Sequence, residues 1–160
     1  MSIRVGERIP EATLKRIRDG VETLDTLALF EGRRVVLFAV PGAFTPTCSA
    51  QHLPGFITHF DAFRQRGIEV YCMAVNDPFV MNAWAKDQHV PEGLLMLADG
   101  NGDFSRALDL LQDASASGMG IRSRRFALYV EDCIVRGAWV DAPGVFEVSS
   151  ADHVLQQLPA

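Results

Sequence analysis

Apolar residues are distributed along the chain in two registers. "RRVVLFAV" (33–40), "IEVYCMAV" (68–75) and "GLLMLAD" (93–99) are near-continuous apolar runs, the pattern of strands buried on both faces. Between them the period lengthens. Phe56, Ile57, Phe60 and Phe63 recur at helical spacing before Gly67, which predicts an amphipathic helix over 54–66. "DPFVMNAWAKDQ" (77–88) opens with Asp77 as N-cap and Pro78 at the first helical position, and "DFSRALDLL" (103–111) reads as a short helix. At the N-terminus "EATLKRIR" and "VETLDT" flank Asp19-Gly20, a dipeptide that favours hairpin turns. "RFALYVEDCIVRGAWV" (125–140) predicts two strands joined at Glu131-Asp132, and "SSADHVLQQL" (149–158) a final helix capped by serine.

Strands alternating with helices, followed by a hairpin and a last helix, describe an α/β three-layer domain. The order βαβ then ββα is that of the thioredoxin fold: a central mixed sheet flanked by helices, here with an N-terminal β-hairpin. No repeat or Pro/Ser-rich linker divides the chain, so residues 1–160 are expected to form a single domain.

Composition narrows the function. With 48% hydrophobic residues the chain can build a core, yet no run approaches the ~18 apolar residues of a membrane span. "MSIRVGERIP" has no secretory h-region, so a cytoplasmic location is expected. A net charge of −5 argues against nucleic acid and anionic membranes as partners. Three widely spaced cysteines, Cys48, Cys72 and Cys133, fit neither a disulfide framework nor a zinc site, and there is no CxxC. The four histidines include no HxxxH pair; Cys48, His52 and His59 are the one trio that invites a metal, and no metal or other cofactor is expected.

Cys48 stands out by its place. It follows the first buried strand and lies at the entrance of the next helix, where open α/β sheets put ligand sites. Pro41-Gly42 ends the strand, and Thr45-Pro46 marks a helix start, with threonine able to cap and proline suited to the first position. A cysteine in a first helical turn meets unpaired N–H groups and the positive end of the helix dipole, which favour the thiolate nucleophile. Thr45 lies three residues before Cys48, so its hydroxyl is placed to donate to the sulfur or to a substrate oxygen. "IRSRRF" (121–126) offers an arginine as charge partner. His52 is four residues after Cys48 and offers a general base, a structural hydrogen bond or part of the pocket rim. These residues make Cys48 a candidate reactive thiol, and a non-catalytic redox sensor or binding module and a Cys–His hydrolase are among the classes of function it could serve.

"PGAFTPTC" resembles the PxxxTxxC active-site pattern of the peroxiredoxins, and "VPGAFTPTCSAQHLPGF" is similar to their type II, peroxiredoxin-5-like branch. The likeness continues through "VNDPFVMNAW", "LADGNGDFSRALDL", "GIRSRRFALYVED" and "FEVSSADHVL". The resemblance implies reduction of hydrogen peroxide and alkyl hydroperoxides. Cys48 would be the peroxidatic cysteine, Thr45 the hydroxyl that orients the peroxide, Pro41 the shield against solvent and Arg125 the catalytic arginine, with Arg124 as second choice. Gly42, Phe44 and His52 are placed with Pro41 around the pocket, and Phe44 and the "DPFVM" segment are also candidates for a homodimer face, as in relatives.

Some animal members of the branch carry a resolving cysteine near the C-terminus, whereas "PGVFEVSSADHVL" has none. Cys72 matches a cysteine proposed as resolving in plant members, but a strand cysteine would reach Cys48 only if the helix start unwinds. The expectation is a one-cysteine cycle reduced by glutathione and glutaredoxin, with an internal Cys48–Cys72 cycle or reduction by thioredoxin as alternatives. Cys133 matches no catalytic position.

Overall fold

A computed structural model describes residues 2–158. The chain opens with the hairpin β1 (Thr13–Ile17) and β2 (Val21–Asp25), followed by α1 (Thr26–Phe30), whose first turn is capped by the Asp25 carboxylate accepting from Ala28 N–H. Then come β3 (Arg34–Val40), a π-helical turn (Cys48–His52), α2 (Leu53–Thr58), α3 (Phe60–Gln65), β4 (Glu69–Ala74), α4 (Pro78–Asp87) and β5 (Leu95–Ala98). The second half contains α5 (Asp103–Ala107), β6 (Leu111–Asp113), a 3₁₀ turn (Ser115–Ser117), β7 (Ile121–Ser123), β8 (Phe126–Glu131), β9 (Ile134–Val140) and α6 (Ala151–Gln157).

Seven strands form one sheet in the order β2-β1-β5-β4-β3-β8-β9. The β3–β4 and β4–β5 pairs are parallel and the others antiparallel, the mixed sheet of the thioredoxin fold. Alternation along β3 divides its buried run between two cores. Val36, Phe38 and Val40 join Val70, Cys72 and Ala74 beneath α2, α3, α4 and α6, while Val35, Leu37 and Ala39 join Tyr71 and Met73 beneath α1 and α5. Both faces are dry. That explains why β3 and β4 read as unbroken apolar runs rather than as alternating ones.

Four local expectations change. The helix expected over 54–66 is interrupted at His59 (φ −97°, ψ 9°) into α2 and α3. Upstream, Leu53 N–H reaches back five residues to the Cys48 carbonyl, so the helix entrance is a π turn. The helix expected over 103–111 stops at Ala107: Asp109 is left-handed (φ 55°), and residues 111–113 instead pair with β7. The β8–β9 turn is centred on Asp132 and Cys133 (φ 45° and 69°), one residue later than expected, because a two-residue turn matching strand twist needs both central residues left-handed. Ser150 caps α6 as its serine signal predicts, accepting from His153 N–H.

Candidate active site

The site lies outside the carboxyl end of β3. Helical backbone begins at Pro46, and Ser49 N–H closes the first turn on the Thr45 carbonyl at 2.9 Å, which places Cys48 in that turn. The Cys48 side chain is fully buried. Ser49, its neighbour, accepts a hydrogen bond from Trp84 Nε1 at 3.0 Å, which ties the turn to α4.

Arg125 meets Cys48 because of strand parity. Ala39 of β3 pairs with Phe126 of antiparallel β8, so the start of β8 sits beside the end of β3. Phe126 faces the core under α1 and α5, and Ala127 faces the core that contains Cys48. Arg125, one step before Phe126, therefore shares the Cys48 side, and Arg124 points to the other. Arg125 Nη2 donates to Cys48 Sγ at 3.3 Å; Arg124 Nη2 donates to the Asp141 carbonyl at 3.0 Å. The guanidinium also stacks on Phe146, 5.7 Å from the ring centroid.

His52 stands behind this pair with both ring nitrogens in use. Arg125 Nη1 lies 2.8 Å from Nδ1, and a guanidinium can only donate, so Nδ1 accepts. Nε2 lies 3.0 Å from the Ser149 carbonyl and carries the proton. Burial, then the neighbouring Arg125 charge, lowers the His52 pKa from 6.5 to about 3. Neither nitrogen is directed at the thiol. His52 is thus a buried neutral spacer rather than the base of a Cys–His couple, which removes the support for a hydrolase.

Thr45 corrects another expectation. Its hydroxyl donates to the Gly42 carbonyl at 2.7 Å, so it neither caps the helix nor donates to sulfur. With its proton committed, its oxygen is left as an acceptor for a substrate O–H. Gly42 is closely packed: a Cβ there would meet Met119 Cε at 3.0 Å, Thr45 Cγ2 at 3.2 Å and Arg122 Nη1 at 3.3 Å. Arg122 fixes the opposing segment through its bonds to the Met119 and Val75 carbonyls.

A cavity of about 340 Å³ opens over the site, lined by Pro41, Thr45, Thr47, Met119, Arg125 and Val145 among others. Pro41, Thr45 and Arg125 are brought together on it, over the buried Cys48. Gly42, Phe44 and His52 are not on its wall: Gly42 is packed under Met119 and Thr45, Phe44 is left-handed (φ 65°) and 52% exposed, and His52 is fully buried. Cys72 shares the core cluster of Cys48, while Cys133 belongs to the cluster on the other face of the sheet. Burial, then proximity to Cys48, pushes the Cys72 thiol well up; burial also raises Cys133.

Known proteins share this arrangement of sequence and fold. The sequence model of the redoxin family matches residues 4–155. Peroxiredoxin-2B of Arabidopsis thaliana is 43% identical over 159 residues, 98% of each chain. The chain belongs to the peroxiredoxins of the redoxin family. Among solved structures, reduced Prx3 of Vibrio vulnificus in complex with hydrogen peroxide is similar at a TM-score of 0.92 and 44% identity, covering 96% of this chain and 98% of that one. Peroxiredoxin 5 of Alvinella pompejana is similar at 0.84 and 33%, covering 96% of each. As a peroxiredoxin of the peroxiredoxin-5-like type, the chain is a thiol-dependent peroxidase acting on peroxide with a thiol-based reductant.

Sequence reasoning missed the segment that supports this peroxiredoxin site from behind. Asp141, Phe146 and Ser149 all touch Arg125, His52 or each other, and none is near Cys48 in sequence. The one local signal was an aspartate opening a Pro-Gly loop, "DAPG", which also occurs in ordinary turns.

Proposed function

We propose that this peroxiredoxin reduces hydrogen peroxide and alkyl hydroperoxides by a one-cysteine cycle on Cys48, regenerated by glutathione and glutaredoxin. The observation that carries the assignment is the 3.3 Å bond from Arg125 Nη2 to Cys48 Sγ beside a cavity lined by Thr45 and Pro41. A peroxide seated there gives its O–H to Thr45 Oγ. The Cys48 thiolate forms a bond to one oxygen, the O–O bond breaks, and the electron pair leaves on the other oxygen, which takes a proton to become water or alcohol. Arg125 faces the charge that develops in this step. Cys48 is left as sulfenic acid. Glutathione then displaces water to give a mixed disulfide, and a glutaredoxin thiolate takes the glutathione sulfur and releases Cys48.

Support for an outside thiol comes from the setting of Cys72. It is fully buried in a strand paired on both sides, opposite Phe38 and Met96, and its raised pKa disfavours the thiolate that must attack a sulfenic acid. Intact-mass measurement after one equivalent of peroxide without reductant tests the cycle. A gain of one oxygen is expected; loss of two hydrogens means an internal bridge and returns Cys72 to the cycle. Turnover coupled to glutaredoxin or to thioredoxin separates the reductants, and faster turnover with thioredoxin rejects the reductant named here. The same proposal places the protein in the cytoplasm as a homodimer, with Phe44 and Phe79, 52% and 66% exposed, on the paired face. A monomer in light scattering excludes the dimer.

A further inference from the structure

The Cys48–Arg125 contact accounts for only part of a longer buried chain. Asp141 is 3% exposed, yet among the described residues its carboxylate forms no ion pair. Instead it collects four neutral donors from the other end of its own loop: Glu147 N–H at 3.2 Å, Val148 N–H at 2.8 Å, Ser149 N–H at 3.3 Å and Ser149 Oγ–H at 2.6 Å. Closing the loop in this way fixes the Ser149 carbonyl, and that carbonyl accepts from His52 Nε2–H. The tautomer is thereby chosen. With the proton on Nε2, Nδ1 presents a lone pair to Arg125 Nη1; with the proton on Nδ1, two N–H groups would face each other at 2.8 Å.

Asp141 also holds the arginine at its main-chain end. Its own N–H donates to the Arg125 carbonyl at 2.9 Å, and its carbonyl takes the Arg124 Nη2 bond that keeps the neighbouring guanidinium away. Phe146, inside the same loop, lies 5.0 Å from the His52 ring and beneath the Arg125 guanidinium. Both ends of Arg125 are therefore referred to one residue, the main-chain end to the Asp141 backbone and the guanidinium end to its carboxylate. Such a partner behind an imidazole sets ring orientation and tautomer, as it does for histidines that ligate metals.

We infer that Asp141 is a positioning residue for the peroxide reaction: through the Ser149 carbonyl and His52 it sets the direction in which Arg125 meets Cys48. The inference rests on the reading of Cys48 and Arg125 as the reacting pair. Its distinguishing property is that Asp141 acts only through Arg125. The test is a double-mutant cycle on the rate of Cys48 oxidation by hydrogen peroxide, measured by stopped flow in Asp141→Asn, Arg125→Met and the double variant. An asparagine whose oxygen takes the place of Oδ2 still accepts from Glu147 and Ser149 but turns its amide N–H₂ toward Val148 N–H, so the loop loses the charge of its hub and one of its bonds while keeping its volume. The expected result is a loss of about tenfold in Asp141→Asn, the size of a misdirected charge-assisted bond, and less than about twofold further loss when the substitution is added to Arg125→Met.

Equal factors in both backgrounds mean that the loop matters only as a cavity wall, and they overturn the inference. So does an Asp141→Asn rate within about twofold of the unsubstituted protein. An Arg125→Met variant that oxidises normally overturns the active-site reading and this inference with it, whereas a slow Arg125→Met beside a normal Asp141→Asn overturns this inference alone. If Asp141→Asn does not fold, Ser149→Ala, which removes only the 2.6 Å hydroxyl bond, is carried through the same cycle with the same criteria for additivity and an expected loss of about threefold. Nitrogen-15 NMR of the His52 ring adds a readout that a general loosening would not move. The unsubstituted protein is expected to show the Nε2–H tautomer alone and Asp141→Asn a mixture; an Nδ1–H ring in the unsubstituted protein overturns the relay.

Discussion

Replacing Arg125 by methionine keeps an unbranched apolar stem in place of the arginine's and removes all of its donors. Two bonds disappear, Nη2 to Cys48 Sγ at 3.3 Å and Nη1 to His52 Nδ1 at 2.8 Å, together with the stack on Phe146. The first loss acts on rate. Removing one preorganised donor from developing charge costs on the order of 10²–10³ in rate, because the site excludes the water that would otherwise replace it. The second acts on stability: a buried imidazole acceptor left without its donor costs about 1–3 kcal/mol. Arg124→Met is the control. Arg124 has no contact with Cys48, and its bond goes to a main-chain carbonyl, so Cys48 oxidation should stay within about threefold of normal. The assay follows thiol loss and Trp84 fluorescence in stopped flow with excess peroxide, well below the melting temperature of each variant. Equal slowing in Arg124→Met and Arg125→Met, or normal oxidation in Arg125→Met, refutes the parity argument that puts Arg125 on the thiol side.

Cys48→Ser should abolish peroxide consumption, while Cys72→Ser and Cys133→Ser should turn over with glutathione and glutaredoxin supplied; activity retained without Cys48 would sink the mechanism. Gly42→Ala should lower the melting temperature, by about 1–3 kcal/mol of overpacking, and slow peroxide turnover, since the added methyl presses on Met119 and Thr45; an unchanged rate would show that the Thr45 hydroxyl needs no such fit. Burial keeps His52 neutral, with its folded pKa depressed from 6.5 to about 3, so between these values the unfolded chain binds the extra proton. Stability should therefore fall by about 1.4 kcal/mol per pH unit as pH drops below 6.5, a slope that His52→Gln loses in urea titrations; equal slopes would show that the ring is protonated when folded.

What was legible in the sequence was whatever local chemistry decides. Apolar runs marked β3, β4 and β5, Asp77-Pro78 marked the start of α4, and Ser150 capped α6. At the site, the Pro-Gly turn and Thr45-Pro46 placed Cys48 in a first helical turn, and the family pattern chose Arg125, which strand parity then explains. The role of Thr45 was not legible, because whether a hydroxyl caps, donates to sulfur or donates to a carbonyl depends on where Gly42 comes to lie. The π turn was hidden for a similar reason: an extra residue in a turn leaves no mark in a helical period. His52 looked like a base by its spacing, and the contact with Ser149, 97 residues away in sequence, decides otherwise. Long-range partners of this kind carry no local pattern.

The three cysteines are all buried, but they are not buried by the same thing. Cys72 lies in the middle of the sheet between β3 and β5, whereas Cys133 lies in the two-residue turn that joins β8 to β9. A thiol reagent can reach Cys72 only when the helix layer over that face of the sheet lifts away, and Cys133 when one hairpin end frays, so their blocking rates measure opening of the core and local opening separately. With Cys48 held as serine, the protein thus contains a built-in pair of labels, one reporting the opening of the core and the other the breathing of its edge.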